Sequence, residues 1–282
     1  MSDLLSTINF AKPVSDIKSK CIDLTNLTWT LNKDTPGTAG MFLKSRVEMD
    51  GVTYYLKMSS YNSEDGVYGH ESILELIASR LADKLSLPHI QYELWNAKVN
   101  IDGKVFDTWV SASEEYRVEG EVRLSLESYY NLKRKGKEDL TSFMLTSTFK
   151  WDILQMLVFD YIIANRDRHS NNIELLYNRK SDSYRLVPMF DHGCSLSSPL
   201  FNKWYEMNEE YYMKDFIVNN CIGSKSLKEN LRLVYNEGLT IPVVMLGDDL
   251  FNGIHEIMGS VFCTKHLEML KERYRYALDV LN

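Results

Sequence analysis

Two Asp-Gly pairs, Asp50-Gly51 and Asp102-Gly103, set most of the constraint on how this chain folds. Asp-Gly tolerates the positive backbone angles of a tight reversal, so the pair between two β-prone runs predicts a hairpin. The first separates residues 41–47 from 52–58, and the second separates 90–99 from 104–110. Between the hairpins Ile73, Leu74, Ile77, Ala78, Leu81 and Leu85 recur at helical spacing, and Pro88 closes the segment. That pattern predicts one amphipathic helix. Beyond residue 116 the period changes. Trp151, Leu154, Leu157, Val158, Tyr161 and Ile162 make one apolar helical stripe, and Leu267, Leu270, Tyr274, Ala277, Leu278 and Leu281 make another. Residues 173–177 and 184–190, around the polar turn 178–183, interrupt this half with a further β signature, and the Lys-rich stretch 125–139 reads as a surface helix or loop. The expected class is α+β in two parts. Residues 1–115 are β-rich with one helix and residues 116–282 are mainly helical, with a hinge near 111–120.

Composition narrows the function. The 282 residues are 44% hydrophobic and 25% charged, enough for a large core and two subdomains. The net charge is -7 and no like-charge run reaches five residues. A nucleic-acid binder needs clustered Lys and Arg to displace counterions, so no nucleic-acid partner is expected. None of Cys21, Cys194, Cys221 and Cys263 forms a CxxC pair, which argues against a zinc site or disulfide framework and for a reducing compartment. The opening MSDLLSTINF lacks a basic region followed by an apolar run, and no apolar stretch approaches bilayer length. A cytoplasmic protein without signal peptide or membrane span is expected.

The chemistry concentrates in Asn165-Arg166-Asp167-Arg168-His169-Ser170-Asn171-Asn172, between an apolar helix and a β-prone run, and in Phe190-Asp191-His192-Gly193 after the next run. Phosphoryl transfer asks a protein for a carboxylate that orients the acceptor hydroxyl and for oxygen ligands that hold magnesium against the phosphates. Asp167, Asn172 and Asp191 supply that set. In the first half Lys57 interrupts the apolar run Tyr54-Tyr55-Leu56-Lys57-Met58, where a charge needs a partner. Glu75 lies 18 residues later on the predicted helix, with Glu71 one turn before it. In kinases such a strand Lys holds the ATP phosphates and pairs with a helix Glu. Thr35-Pro36-Gly37-Thr38-Ala39-Gly40 precedes the Lys57 hairpin, and its glycines would let backbone N–H groups approach phosphate. Taken singly, each piece also has an ordinary role as a turn residue, a snorkelling lysine or a solvated helix face. Their order along the chain is what points to phosphotransfer.

At this point a resemblance enters. Residues 160–172 with Phe190-Asp191, and the segment from Tyr68-Gly69-His70-Glu71 to Leu85, resemble the HipA-like and CtkA-like serine/threonine kinases of bacteria. The run Asp167-Arg168-His169 with Asn172 is similar to the DRH-x-x-N loop of phosphoinositide 3- and 4-kinases. The likeness covers about residues 32–200. It implies a two-lobed protein-kinase-like fold with a small β-rich N-lobe and a mainly helical C-lobe, and an ATP- and Mg2+-dependent enzyme acting on a Ser/Thr protein substrate. It implies Asp167 as base or orienting carboxylate, and Asn172 and Asp191 as Mg2+ ligands. Lys57 would hold the ATP phosphates with Glu75 as its partner. Gly37, Thr38, Ala39 and Gly40 would form the phosphate loop, and Ser111 to Ser113 would lie by the adenine hinge. His169 has two readings, at the γ-phosphate or bracing the loop. His192 stands where protein kinases carry the Phe of Asp-Phe-Gly. Thr35, Thr38 and Ser45 are the candidates for autophosphorylation. The chain leaves no room for the extra domain through which HipA toxins engage an antitoxin, so that partner is not expected.

Three alternatives share the chain: a lipid or small-molecule kinase with the same site, a pseudokinase binding module, and a metal-dependent hydrolase using Asp167, His169 and Asp191. Residues 192–206 carry a single cation, Lys203, which argues against an anionic lipid head group. The retention of Lys57, Asp167, Asn172 and Asp191 argues against a pseudokinase.

Overall fold

The structure is a computed structural model that describes residues 15–30 and 42–282. Strands β1 (Ile17–Leu24), β2 (Lys44–Met49) and β3 (Val52–Met58) are followed by a short hairpin of β4 (Tyr61–Asn62) and β5 (Gly66–Val67). Helix α1 (Glu71–Lys84) then leads into β6 (Glu93–Ile101) and β7 (Lys104–Glu114). Five of these strands form one sheet in the order β1-β6-β7-β3-β2. Asp50-Gly51 and Asp102-Gly103 make the expected reversals, with φ of 52° and 78° in the first pair and 51° and 83° in the second. β1 instead runs parallel to β6.

One face of this sheet buries Leu56, Met58, Trp95, Ala97, Val99, Val110 and Ala112 in a core of their own. Helix α1 covers the other face, and it is more enclosed than an amphipathic pattern implies. Every residue from Glu71 to Ser79 is buried, so no solvated face remains along that stretch. Its apolar residues join the main core of the helical half.

After β7 come β8 (Glu121–Ser125), α2 (Leu126–Lys133), α3 (Leu140–Thr146) and α4 (Lys150–Ile162). β9 (Glu174–Asn178) and β10 (Ser183–Leu186) make the embedded hairpin. β8 pairs with β9 to complete a three-stranded sheet. The 125–139 stretch holds α2, capped by the Ser125 side chain accepting from Ser128 N. The remainder is helical: α5 (Glu209–Tyr212), α6 (Leu227–Asn236), α7 (His255–Met258) and α8 (Ser260–Leu281). The core joins α1, α4, α6 and α8. Trp151, placed in the α4 stripe by periodicity, is 51% exposed instead and lies under the Lys150 ammonium. No helix among the described residues is long and apolar enough to cross a membrane.

Candidate active site

Lys57 sits on β3 on the face that α1 covers, and its side chain is almost wholly buried. A buried ammonium must be paired. Its Nζ donates to Glu75 Oε1 of α1 at 2.7 Å and also donates to Asp191 Oδ1. Three separate elements thus meet at one cation. Burial alone would push this ammonium down, but the Asp191 and Glu75 carboxylates together outweigh it and hold it well above the usual lysine value. The two helix carboxylates divide their work. Glu75, with no exposed surface, spends its second oxygen on the His192 N–H at 2.7 Å. Glu71 turns away and accepts from Ser60 Oγ at 2.6 Å and from Ser60 N at 3.0 Å.

Asp191 is held with φ at +58°, in the left-handed region that few residues other than glycine, asparagine and aspartate adopt. Its N–H donates to the Tyr92 hydroxyl at 3.3 Å. Burial would raise its carboxyl, but Lys57, then Lys44 and Arg168, hold it well below the usual carboxylate range. Gly193 follows because space demands it. A Cβ there would stand 3.1 Å from Glu71 Cβ, 3.2 Å from Glu75 Oε1 and 3.3 Å from Lys57 Nζ.

The 165–172 loop and the 190–193 turn are fastened together by Arg168, which is 1% exposed. Its Nε and Nη2 fork onto both oxygens of the buried Asp160 at 2.9 and 2.7 Å. Its Nη1 donates to Asn172 O at 3.1 Å and to Phe190 O at 2.8 Å. Nη2 also donates to His192 Nδ1 at 3.1 Å. Burial first, and the Arg168 charge second, keep His192 well below the ordinary imidazole value and therefore neutral.

Within the loop, Asp167 presents its two oxygens to different neighbours. Oδ1 accepts from Asn219 Nδ2 at 3.0 Å, and Oδ2 lies 3.7 Å from His169 Nε2. His169 Nδ1 accepts from Asn171 N at 3.2 Å, so the imidazole braces the loop with one nitrogen and faces the carboxylate with the other. The loop-bracing reading of His169 thus has a contact behind it, the hydrogen bond from Asn171 N. Asn172 Nδ2 donates to Asp167 O at 2.7 Å, while its Oδ1 is buried with no hydrogen-bond partner. A buried amide oxygen left unpaired calls for a ligand. Carbonyl and carboxylate oxygens suit a hard cation such as Mg2+, which binds few protein groups and relies on water and phosphate for the rest. The Asn172 and Asp191 side chains fit that ion. Among the described residues no group of three or more His, Cys, Asp and Glu side chains is placed to hold a metal.

Ser111 on β7 pairs with Lys57 and Ser113 with Tyr55, so both lie on the Lys57 face. The Ser111 hydroxyl is already committed to the Lys57 carbonyl at 3.3 Å, and the residue is 1% exposed. It braces the strand rather than offering a donor to a ligand. Gly37, Thr38, Ala39 and Gly40, with Thr35, lie outside the described residues. Ser45 is buried and donates to Thr28 O at 2.9 Å, an unfavourable position for a phosphoacceptor. Sequence reasoning assigned no role to Arg168, although it stands inside the quoted loop. A long cation between a loop and a buried Asp160 was the available signal. Asn219 carried no signal, because 52 residues separate it from Asp167.

No family model matches the chain, and no curated protein sequence matches it. Solved structures do. The proinflammatory kinase CtkA of Helicobacter pylori superposes at a TM-score of 0.62, over 93% of this chain and 97% of that one, with 16% identity. HipA of Shewanella oneidensis, from a complex with HipB and operator DNA, aligns at a TM-score of 0.40 and 13% identity, over 88% of this chain and 59% of that one. The chain therefore has the kinase-like α+β fold seen in CtkA, with a β-rich sheet region and a helical part.

Proposed function

We propose that the chain is an ATP- and Mg2+-dependent phosphotransferase, and within that class a HipA- and CtkA-like serine/threonine protein kinase. The observation that carries this reading is the buried Lys57, gripped by Glu75 from α1 and Asp191 from the turn after β10. A cation fixed between a helix and a metal-binding turn is the arrangement that presents nucleotide phosphates to a metal ion.

In this mechanism Lys57 holds the donor phosphates. Asn172 Oδ1 and Asp191 would hold Mg2+, whose chemistry when bound would be to neutralise the phosphate charge. Asp167 orients the acceptor hydroxyl and receives its proton. With Oδ1 occupied by Asn219, the oxygen available for that hydroxyl is Oδ2. The new bond joins the acceptor oxygen to the γ-phosphorus, the bond from that phosphorus to the bridging oxygen breaks, and ADP leaves. The sparse positive charge of residues 192–206, with Lys203 alone, favours a protein acceptor over an anionic lipid.

The test is transfer of labelled γ-phosphate from Mg-ATP to the chain itself or to a generic protein acceptor, comparing wild type with Asp167→Asn. Loss of a single catalytic carboxylate is expected to lower the rate by roughly a hundredfold or more while leaving Mg-ATP binding in place. Equal labelling by both proteins would remove Asp167 from the chemistry. Absence of any Mg-ATP binding by wild type would end the kinase reading.

A further inference from the structure

A cavity of about 430 Å³ is bounded by the first turns of α4, by β10 with the segment after it, and by Pro88 beyond α1. Its volume is that of a small-molecule pocket. Of the residues placed in the candidate active site, Asn172 contributes to its wall, whereas Lys57, Glu75, Asp167 and Asp191 do not. Pro88, Met156, Leu186 and Pro188 give it apolar sides, which favour a hydrocarbon body.

Two charged side chains also reach the wall, and they are not equivalent. Arg185 is committed: its Nε and Nη2 donate to the Glu121 carboxylate at 2.6 and 2.7 Å, and Nη2 also donates to Tyr116 O at 3.0 Å. Asp152 makes no side-chain hydrogen bond or ion pair with any described residue, and partial burial raises its carboxyl with no cation acting to lower it. The cation two residues before it, Lys150, is spent on Glu237 at 2.7 Å. Gln155 follows three residues along α4, on the same helix face and the same cavity wall, and its amide is likewise unpartnered among the described residues. The first turn of α4 favours negative charge, and Asp152 already supplies it, so the cavity does not call for an anion.

We propose that this cavity binds a small organic cation, with an ammonium head on Asp152 and the Gln155 amide oxygen and an apolar body between Pro88, Met156, Leu186 and Pro188. The inference stands apart from the phosphotransferase reading, because it uses neither the lysine nor the carboxylates of that site.

The experiment titrates the full chain, labelled at its methionine methyl groups, with 4-phenylbutylamine, 4-phenylbutanol and 4-phenylbutyrate. These probes share one apolar body and differ in the charge of the head. Binding is read by NMR at the methyl signals of Met156 and Met189, which both line the cavity. A fragment of this size is expected to bind in the millimolar range. Asp152 is open to water as well as to the cavity, so its pair with the ammonium is screened. The amine is therefore expected to bind about fivefold more tightly than the alcohol, and the acid more weakly than either. Asp152→Asn is expected to bring the amine to the affinity of the alcohol while leaving the alcohol within about twofold. Gln155→Trp, which fills the cavity from the helix surface, is expected to abolish binding of both, with thermal unfolding reporting that each variant is folded. Equal affinity of amine and alcohol for wild type would overturn the proposal, and this comparison needs no variant to fold. An amine that keeps its advantage in folded Asp152→Asn would also overturn it, as would binding that leaves the Met156 and Met189 signals unmoved or no binding of the amine at all.

Discussion

Asp167 illustrates how a single residue is prepared by neighbours far away in sequence. Asn219 takes one carboxylate oxygen, and the Asn219 N–H and Cys221 N–H donate to Arg166 O and Arg168 O, so the 219–221 segment is stitched along the loop. Removing the amide frees the carboxylate to rotate. Asn219→Ala is expected to lower kcat by about tenfold, the worth of one hydrogen bond to a charged group, with Mg-ATP affinity unchanged. Steady-state kinetics with separate titration of nucleotide check this, and a change confined to nucleotide KM would contradict it. Lys57 and Glu75 stood out as candidates because each is a charge that interrupts an apolar pattern, and Asp167, Asn172 and Asp191 because they fall in short polar segments next to an apolar helix or a β-prone run. Asn219 did not, since its partnership arises only when the loop after α5 folds back across the site.

At the level of elements, turn chemistry was read well and irregular strands poorly. The Asp-Gly hairpins formed where glycine and aspartate permit positive φ. β1 escaped notice because its register shifts between Lys18 and Ile22, which breaks the period-two alternation that marks a strand. β8 is five residues of mixed charge, stabilised by pairing with β9 and by Arg123 on Glu174 rather than by its own pattern. The turn carrying Asp191 depends on a missing side chain. Gly193→Ala would press a methyl group against Glu71, Glu75 and Lys57. Overpacking of this kind costs about 1–3 kcal/mol. The variant is expected to melt earlier and to lose activity beyond its loss of stability, because the displaced groups include Lys57, the lysine proposed to hold phosphate. Gly136→Ala, where a Cβ meets nothing within 4 Å, is the matched control and is expected to behave as wild type.

For the molecule as a whole, the joint between sheet and helices is polar and buried. His70 Nε2 lies 2.6 Å from Ser197 Oγ, which lies 2.6 Å from His266 Nε2, and His266 Nδ1 donates to Phe262 O at 2.7 Å. This chain links the start of α1, the segment after Gly193 and the last helix. It works with neutral imidazoles: burial holds His70 down to about 4 and His266 to about 3. Since the folded values lie below the unfolded one, the unfolded chain takes up protons first as pH falls. The stability these histidines contribute is complete above about pH 6.5 and declines as pH drops below it, by about 1.4 kcal/mol per pH unit for each, until the folded groups protonate. With His192 also depressed, urea unfolding is expected to shift to lower midpoints between pH 7 and 5, and His266→Gln to flatten that slope by one histidine's share. A flat profile over that range would refute the neutral relay. The same joint bears on motion. Helix α1 shares its core with the helical half yet lends Glu75 to a lysine of the sheet. It behaves as a bolt seated in one plate with its tip in the other. Any sliding of the sheet over the helices must draw Lys57 off Glu75, so such a movement carries an electrostatic toll at the residue proposed to hold the nucleotide.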